Sequence, residues 1–248
     1  MPVKLEIRSF PVAGNRGLYL WTFAALVVTG LASVPLAAQP APPAPPSRFV
    51  VVLDAAHGGD DNGGRLANNQ LEKSFTLALS VRLRSLLAAR GIQVVTTRES
   101  DMTVEPDKRA EIANRADAQA CLSLHATASG SGVYLFASSL APAAPARFAA
   151  WKTAQAAWVT RSLKLEGVLN SALLQAGMSV TMSRTSVTAM DSMTCPAVAV
   201  EIAPEQKSGE ETTGGLNDKD YQARVAAALA AALLEWRTDA GRTEGQQP

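Results

Sequence analysis

Short apolar runs alternate with segments of helical periodicity along residues 49–236, and this alternation restricts the fold more than any other feature of the chain. A run of this kind predicts a buried strand, because a strand covered on both faces is apolar along its whole length. The predicted strands lie at 49–54, 92–97, 120–125, 132–138 and 197–202, with a shorter candidate at 186–190. Strands that alternate with helices indicate an α/β sheet covered on both faces.

Four segments have the spacing expected of helices. Leu71, Phe75, Leu79 and Leu83 recur at one helical face, and Gly91 ends that segment. The predicted helices lie at 71–90, 106–117, 147–176 (with a break near Gly167) and 217–236.

Trp151 and Trp158 share one face of the third predicted helix, seven residues apart. We expect this pair to pack in the core, since large aromatic side chains are mostly buried; a ligand platform is the alternative.

The amino-terminal segment differs from the rest of the chain. Lys4, Arg8 and Arg16 precede residues 18–38, which contain no charge and end in small residues. This order is typical of an export signal cleaved after Ala38, although the run is also long enough to remain as a membrane anchor. Residues 39–48 then form a Pro/Ala-rich linker. We expect a folded domain over 49–237 and a disordered polar tail over 238–248.

The overall charge and the cysteine content exclude some classes. The formal net charge is +1, so no electrostatic argument favours nucleic-acid binding. Cys121 and Cys195 are too few for a disulfide framework. One bridge between them and two buried free thiols both remain open.

The chain has two histidines, and both fall at the ends of predicted strands. His57 follows the strand at 49–54, and His125 ends the strand at 120–125. Either residue alone would be an ordinary structural histidine more often than a ligand. Ligand sites in α/β sheets gather beyond the carboxyl ends of strands, and imidazole suits zinc. Together the two residues therefore indicate a metal site.

Glu72 supplies a third candidate ligand. It precedes Phe75, Leu79 and Leu83 by three, seven and eleven residues, so it shares their inward face. A carboxylate there is costly to bury unpaired, and a divalent cation would compensate it. The alternative is a first-turn glutamate stabilised by the helix dipole. Three protein ligands leave a fourth position open for water, as in catalytic zinc sites, although ligand type does not exclude other metals.

Glu201 interrupts the otherwise apolar strand at 197–202. An ionised carboxylate in a buried strand needs a partner, or its pKa must rise. A raised pKa is what a general base and acid requires near neutral pH. The structural alternative is a buried ion pair with Arg98 or Arg109.

Four segments, in this order, resemble the motifs of the zinc-dependent N-acetylmuramoyl-L-alanine amidases of the cell-division and sporulation type. They are VVLDAAHGGDDNGG, LEKSFTLALSVRLRSLLAARGIQVVTTRESD, KRAEIANRADAQACLSLHAT and CPAVAVEIA. The resemblance covers about residues 49–236. The residues that match the motifs are His57, Glu72, Thr97, Arg98, Arg109, Asn114, His125 and Glu201.

The resemblance implies a single three-layer domain with a mixed, mostly parallel sheet of about six strands flanked by helices. It also implies one Zn²⁺ held by His57, Glu72 and His125, with Glu201 as the catalytic base and acid. The implied substrate is peptidoglycan, cut at the amide between N-acetylmuramic acid and L-alanine by an exported, periplasmic or cell-envelope enzyme. Contact with a membrane is expected only through the amino-terminal segment, if that segment is not cleaved.

Some members of the family hold an inhibitory helix over the metal and require an activator protein. Residues 139–177 are the segment that would serve here, and an ordinary packing helix is the alternative. Two other functions remain open for the whole chain. One is a non-catalytic module that binds or regulates the wall, and the other is an exported metallopeptidase, although the sequence contains no H-E-x-x-H motif.

Overall fold

The computed structural model describes residues 48–145, 150–205 and 215–244. The predicted export segment at 1–38 and nearly all of the linker lie outside these ranges. Among the described residues, no helix combines the length and the apolar character that crossing a membrane would require.

Six strands form one sheet: β1 (Val50–Ala55), β2 (Gln93–Thr96), β3 (Ala120–Ala126), β4 (Val133–Ser138), β5 (Val180–Thr185) and β6 (Ala197–Ile202). Their order in the sheet is β2-β1-β3-β6-β4-β5. All neighbouring strands are parallel except β4 and β6, which are antiparallel. The expected mixed, mostly parallel sheet of six strands is confirmed.

Helices cover both faces of the sheet and complete three layers. Alternate residues of each strand face opposite sides, so β1 contributes Val51 and Leu53 to one core and Val52 to the other. The helices are α1 (Glu72–Ala88), α2 (Pro106–Arg115), α3 (Val159–Gln175), α4 (Thr188–Asp191) and α5 (Lys219–Glu244). The first core packs against α1, α3 and α5, and the second packs against α2 and α4.

Helix α1 has the inward face that its sequence predicts. Phe75, Leu79 and Leu83 are buried on this face, and so is Glu72 at the first helical position. The helix therefore carries a carboxylate into the protein at its amino-terminal end.

The predicted strand at 186–190 is wrong. The edge strand is β5, at 180–185, and residues 188–191 instead form the short helix α4. Strand β5 lies at the edge of the sheet with most of its side chains exposed, so its sequence has no apolar run that would reveal it. Asp191 at the end of α4 accepts hydrogen bonds from the hydroxyls of Ser138 and Ser186, and these bonds stabilise the helical turn.

The predicted helix at 147–176 is divided, but not at Gly167, which lies inside α3. A 3₁₀ helix at Trp151–Ala157 precedes α3, and the interruption falls at Trp158. The buried amide of Gln155 donates hydrogen bonds to the carbonyls of Met193 and Cys195, which fixes this segment before α3 begins.

The expectation of core packing is wrong for one of the two tryptophans in this segment. Trp151 is 51% exposed, whereas Trp158 is partly buried. They do not share a helical face, because the backbone changes from 3₁₀ to α between them.

The structure also shows the state of the two cysteines, and it differs from the prediction at the carboxyl end. Cys121 in β3 is disulfide-bonded to Cys195, just before β6, which resolves the alternative left open by the sequence. Helix α5 continues to Glu244, so residues 238–244 of the expected disordered tail are helical. Each added residue of an established helix gains one backbone hydrogen bond, which favours its extension past the packed part of the helix.

Candidate metal centre

His57, Glu72 and His125 converge at the carboxyl edge of the sheet. Strands β1 and β3 are parallel neighbours, so the residues that end them lie at the same edge. His57 lies two residues beyond β1, His125 is the penultimate residue of β3, and Glu72 begins α1. One potential ligand atom from each residue lies within 4.8 Å of the others. The structure thus brings together the three residues predicted to bind the metal.

The three side chains lie close enough together to hold one ion. The Nε2 atom of His57 lies 3.1 Å from Oε2 of Glu72, and Nδ1 of His125 lies 3.2 Å from Oε1 of Glu72. A tetrahedral zinc ion with bonds of about 2.1 Å spaces its ligand atoms about 3.4 Å apart. The two imidazole rings are 5.6 Å apart at an interplanar angle of 89°, so their edges can approach one position from different sides. The types of donor atom and the proximity of the three side chains therefore fit a single divalent cation.

Glu72 is held by the backbone as well as by the histidines. Its Oε2 accepts a hydrogen bond from the N–H of Gly64 at 2.8 Å, and its Oε1 accepts one from Ala126 at 3.1 Å. Burial raises the pKa of Glu72, but hydrogen bonds from His125 and His57 outweigh burial and lower that pKa well below its usual range. The side chain is consequently an ionised carboxylate whose position is fixed.

Gly63 is packed against the cluster so closely that only glycine fits. A Cβ atom at this position would lie 2.5 Å from Cδ2 of His57 and 2.7 Å from Oε2 of Glu72. The residue also has a φ of +63°, where side chains are disfavoured. The glycine-rich loop after β1 is therefore part of the site.

Each histidine has a hydrogen-bonding partner on the ring side away from Glu72. Nδ1 of His57 lies 2.8 Å from Oδ2 of Asp61, and Nε2 of His125 lies 3.4 Å from Oγ of Ser123. A hydrogen bond with Glu72 raises the pKa of His57 against the opposing effect of burial, and Asp61 adds to this increase. Asp61 and Ser123 could not be predicted from the sequence, because neither stands out from an ordinary loop or strand residue.

A buried polar network lies beneath the two histidines. Arg109 donates to Oδ1 of Asp54 and to the backbone carbonyls of Ala55 and His57, each at 2.7 Å. Arg98 donates to the carbonyls of Ala55 and Ala56. These two arginines thus fix the backbone that presents His57. Asp54 is a charged residue in the apolar strand β1, so it is as conspicuous in the sequence as Glu201 is in β6.

Glu201 faces the cluster from the next strand. It lies in β6 in register with His125 of β3. Burial raises the pKa of Glu201, the charge of His125 opposes this increase, and Glu72 reinforces it. The carboxylate of Glu201 forms no hydrogen bond or ion pair with any described residue. Arg109 pairs with Asp54, and Arg98 binds backbone carbonyls, so neither forms the alternative ion pair with Glu201.

A cleft of about 290 Å³ opens beside the two histidines. Its walls include the loop after β1, the start of α2 and the start of α4, with Asp61, Glu105, Arg109 and Thr188 among the lining residues. None of the described residues of 139–177 lines this cleft. Helix α3 instead buries Leu165 and Leu169 in the core.

The fold and the cluster together define an α/β protein with a three-residue candidate metal site at the carboxyl edge of its sheet. Residues 51–235 match the family model described as N-acetylmuramoyl-L-alanine amidase. Because this match covers well over half of the chain, the protein belongs to the N-acetylmuramoyl-L-alanine amidase family. The family and the enzyme class predicted from the sequence are confirmed.

Individual relatives carry the same name. The germination-specific N-acetylmuramoyl-L-alanine amidase of Bacillus subtilis is 26% identical over 217 residues, covering 79% of this chain and 83% of that protein. The amidase AmiA of Escherichia coli is 35% identical over 105 residues, covering 40% of this chain and 36% of AmiA. The chain thus matches only about a third of the length of AmiA.

The fold is also similar to solved structures of this family. The catalytic domain of CwlV, an N-acetylmuramoyl-L-alanine amidase of Bacillus (Paenibacillus) polymyxa var. colistinus, has a TM-score of 0.59 and 28% identity. The similarity covers 77% of this chain and 98% of that domain. The CwlD amidase of Clostridioides difficile, solved in complex with the GerS lipoprotein, has a TM-score of 0.56 and 21% identity, which supports the fold alone.

Proposed function

We propose that this protein is an exported zinc-dependent amidase that hydrolyses the bond between N-acetylmuramic acid and the L-alanine of the peptidoglycan stem peptide. The observation that supports this proposal most strongly is the convergence of His57, Glu72 and His125 within one site of a family member. The adjacent cleft reaches the start of α2 and the start of α4, which leaves room for part of a substrate beside the two histidines.

One Zn²⁺ would be held by His57, Glu72 and His125. Two imidazoles and one carboxylate form a donor set found in catalytic zinc sites, with one position left open. When bound there, the ion would lower the pKa of water and polarise the scissile carbonyl.

Glu201 would transfer the proton. Its half-buried carboxylate has no hydrogen-bond or ion-pair partner among the described residues and has a raised pKa, both of which suit a group that accepts and then releases a proton. A carboxylate oxygen of Glu201 would take a proton from the attacking water as the water oxygen bonds to the carbonyl carbon. The same oxygen would return this proton to the amine nitrogen of L-alanine as the carbon–nitrogen bond breaks. The products are a muramic acid carboxyl group and a free amino terminus.

The experiment is hydrolysis of purified peptidoglycan by the full-length protein, followed by labelling of new amino termini. We expect L-alanine to be the labelled residue with the wild type and release to be lost with Glu201→Ala. Unchanged release by this variant would show that Glu201 is not the base. Metal content, measured on His57→Ala and His125→Ala, should fall below that of the wild type, in which we expect one zinc per chain.

The same assay separates the alternative functions. A non-catalytic wall-binding module would bind peptidoglycan but release no amino termini. An exported metallopeptidase would cleave casein, whereas we expect cleavage of wall material alone.

Regulation and location belong to the same proposal. The CwlD amidase was solved with a lipoprotein partner, and a partner protein that modulates activity is the corresponding hypothesis for this chain. Because no described residue of 139–177 lines the cleft, however, we expect the purified protein to hydrolyse peptidoglycan without an activator. The amino-terminal segment would direct export to the periplasm or cell envelope, and sequencing the amino terminus of the protein recovered from the envelope would show whether it is cleaved after Ala38.

A further inference from the structure

The buried carboxylate of Asp54 lies behind His125 and accepts three hydrogen bonds. Its Oδ1 accepts from Oγ1 of Thr97 and from Nη1 of Arg109, both at 2.7 Å. Its Oδ2 accepts from Oγ of Ser123 at 2.9 Å. Asp54 is 2% exposed, so little of its surface is open to bulk water. The side chain is held in one orientation between β1, β3 and α2.

The direction of these bonds fixes the hydroxyl of Ser123. A carboxylate paired with a guanidinium only accepts hydrogen bonds, so the single hydroxyl hydrogen of Ser123 points at Asp54. The lone pairs of Oγ then face Nε2 of His125 at 3.4 Å. They can be satisfied from that side only by an N–H donor, which places the ring hydrogen of His125 on Nε2. When a metal is bound and the imidazole is neutral, this leaves the lone pair of Nδ1, the atom on the side of Glu72, free for the metal.

His57 is arranged in the opposite way. Asp61 accepts a hydrogen bond from Nδ1 of this ring at 2.8 Å, so the neutral ring that would bind a metal has its lone pair on Nε2. That atom faces the other oxygen of Glu72 at 3.1 Å. The two rings therefore direct different nitrogens at the same position.

We propose that Asp54 and Ser123 are positioning residues that hold His125 with Nδ1 towards the metal, while Asp61 holds His57 with Nε2 towards it. The inference rests on the proposed function, because it concerns how the chain prepares the zinc ligands. Arg109 joins the two arrangements, since it donates both to Asp54 and to the carbonyl oxygen of His57. Partners of this kind fix the tautomer and the orientation of a ligand, and their loss typically weakens metal binding 10- to 100-fold.

The first test is nitrogen-15 NMR of the imidazole rings in the zinc-loaded full-length protein. The chain contains two histidines, so two ring patterns are expected. One ring should carry its hydrogen on Nδ1 and the other on Nε2. Two rings with the same tautomer would overturn the proposal. This measurement needs no substitution and so does not depend on the folding of a variant.

The second test is zinc affinity, measured by competition with a chelator. Ser123→Ala should bind zinc 10- to 100-fold more weakly than the wild type. Ser80→Ala is the matched control, because Ser80 is buried and its hydroxyl has no hydrogen-bond partner in the described structure. It should bind zinc as the wild type does. Equal affinity of Ser123→Ala and the wild type would overturn the positioning role.

The outcome separates the inference from the function on which it rests. A wild-type protein that binds no zinc and releases no amino termini would remove the proposed function. A wild type that binds zinc and hydrolyses peptidoglycan, but whose two rings share one tautomer, would remove this inference alone.

Discussion

Replacing Gly63 by alanine tests the candidate metal site without changing any proposed ligand. The added Cβ would lie 2.5 Å from Cδ2 of His57 and 2.7 Å from Oε2 of Glu72. Because unbonded carbon atoms are normally separated by about 3.5–4.0 Å, one or both side chains must move by about 1 Å. A displacement of this size is about half the length of a zinc–ligand bond, which is about 2.1 Å, so the displaced side chains could not keep their bonds to the ion. We expect zinc affinity to fall by about 100-fold or more, the upper end of the range for lost supporting contacts.

Gly91→Ala is the matched control for backbone strain. Gly63 and Gly91 have φ angles of +63° and +75°, but a Cβ on Gly91 would have no atom within 4 Å. Each alanine should cost roughly 1–2 kcal/mol of stability from the left-handed backbone, measured by urea unfolding. Chelator competition should show normal zinc affinity for Gly91→Ala and weak affinity for Gly63→Ala. Wild-type affinity in Gly63→Ala, or an equal loss in both variants, would refute the assigned site.

Three further predictions concern catalysis and stability. Glu201→Gln should retain zinc and lose about 10²- to 10⁴-fold in rate, and a variant with the wild-type rate would contradict the role of Glu201 as the base. Burial raises the pKa of Glu201, and the base must be ionised to accept a proton. The activity of the wild type should therefore decline as the pH falls through that raised pKa. Burial raises the pKa of Glu166 from its usual 4.5 to about 7. The folded state therefore holds this proton more tightly than the unfolded state, so its contribution to stability is full below pH 4.5 and falls, by about 3 kcal/mol in all, as the pH rises through 7. Glu166→Gln should abolish this dependence in urea unfolding at pH 5 and 8, and an unchanged dependence would count against the cause. Removing the disulfide with Cys121→Ala and Cys195→Ala together should cost about 4 kcal/mol, from the 74-residue separation that the bridge spans, and an unchanged urea midpoint would exclude this.

The sequence predicts most of the sheet because buried parallel strands are apolar along their whole length. Strands β1, β3 and β6 are of this kind, and all three are correctly placed. Strand β5 is missed because its exposed side chains do not show that pattern. The turn at 188–191 depends on hydrogen bonds from Ser138 and Ser186 to Asp191, and a contact with Ser138, more than fifty residues away, cannot be inferred from local periodicity.

The candidate ligands could be predicted for a related reason. Histidines at strand ends and a glutamate on an apolar helical face are unusual for their positions, so His57, Glu72 and His125 stand out in the sequence. Ser123 does not, because a serine in a buried strand is unremarkable until its contacts with Asp54 and His125 are seen. Gly63 is likewise one of several glycines in its loop, and its contact with Glu72 appears only in three dimensions.

The central claim is that His57, Glu72 and His125 bind one zinc ion, and a crystal structure of the zinc-loaded protein with anomalous data at the zinc edge tests it most directly. We expect a single strong peak about 2.0–2.2 Å from one atom of each of the three residues. The absence of an anomalous peak at this position, or a peak that is coordinated by other side chains, would contradict the claim.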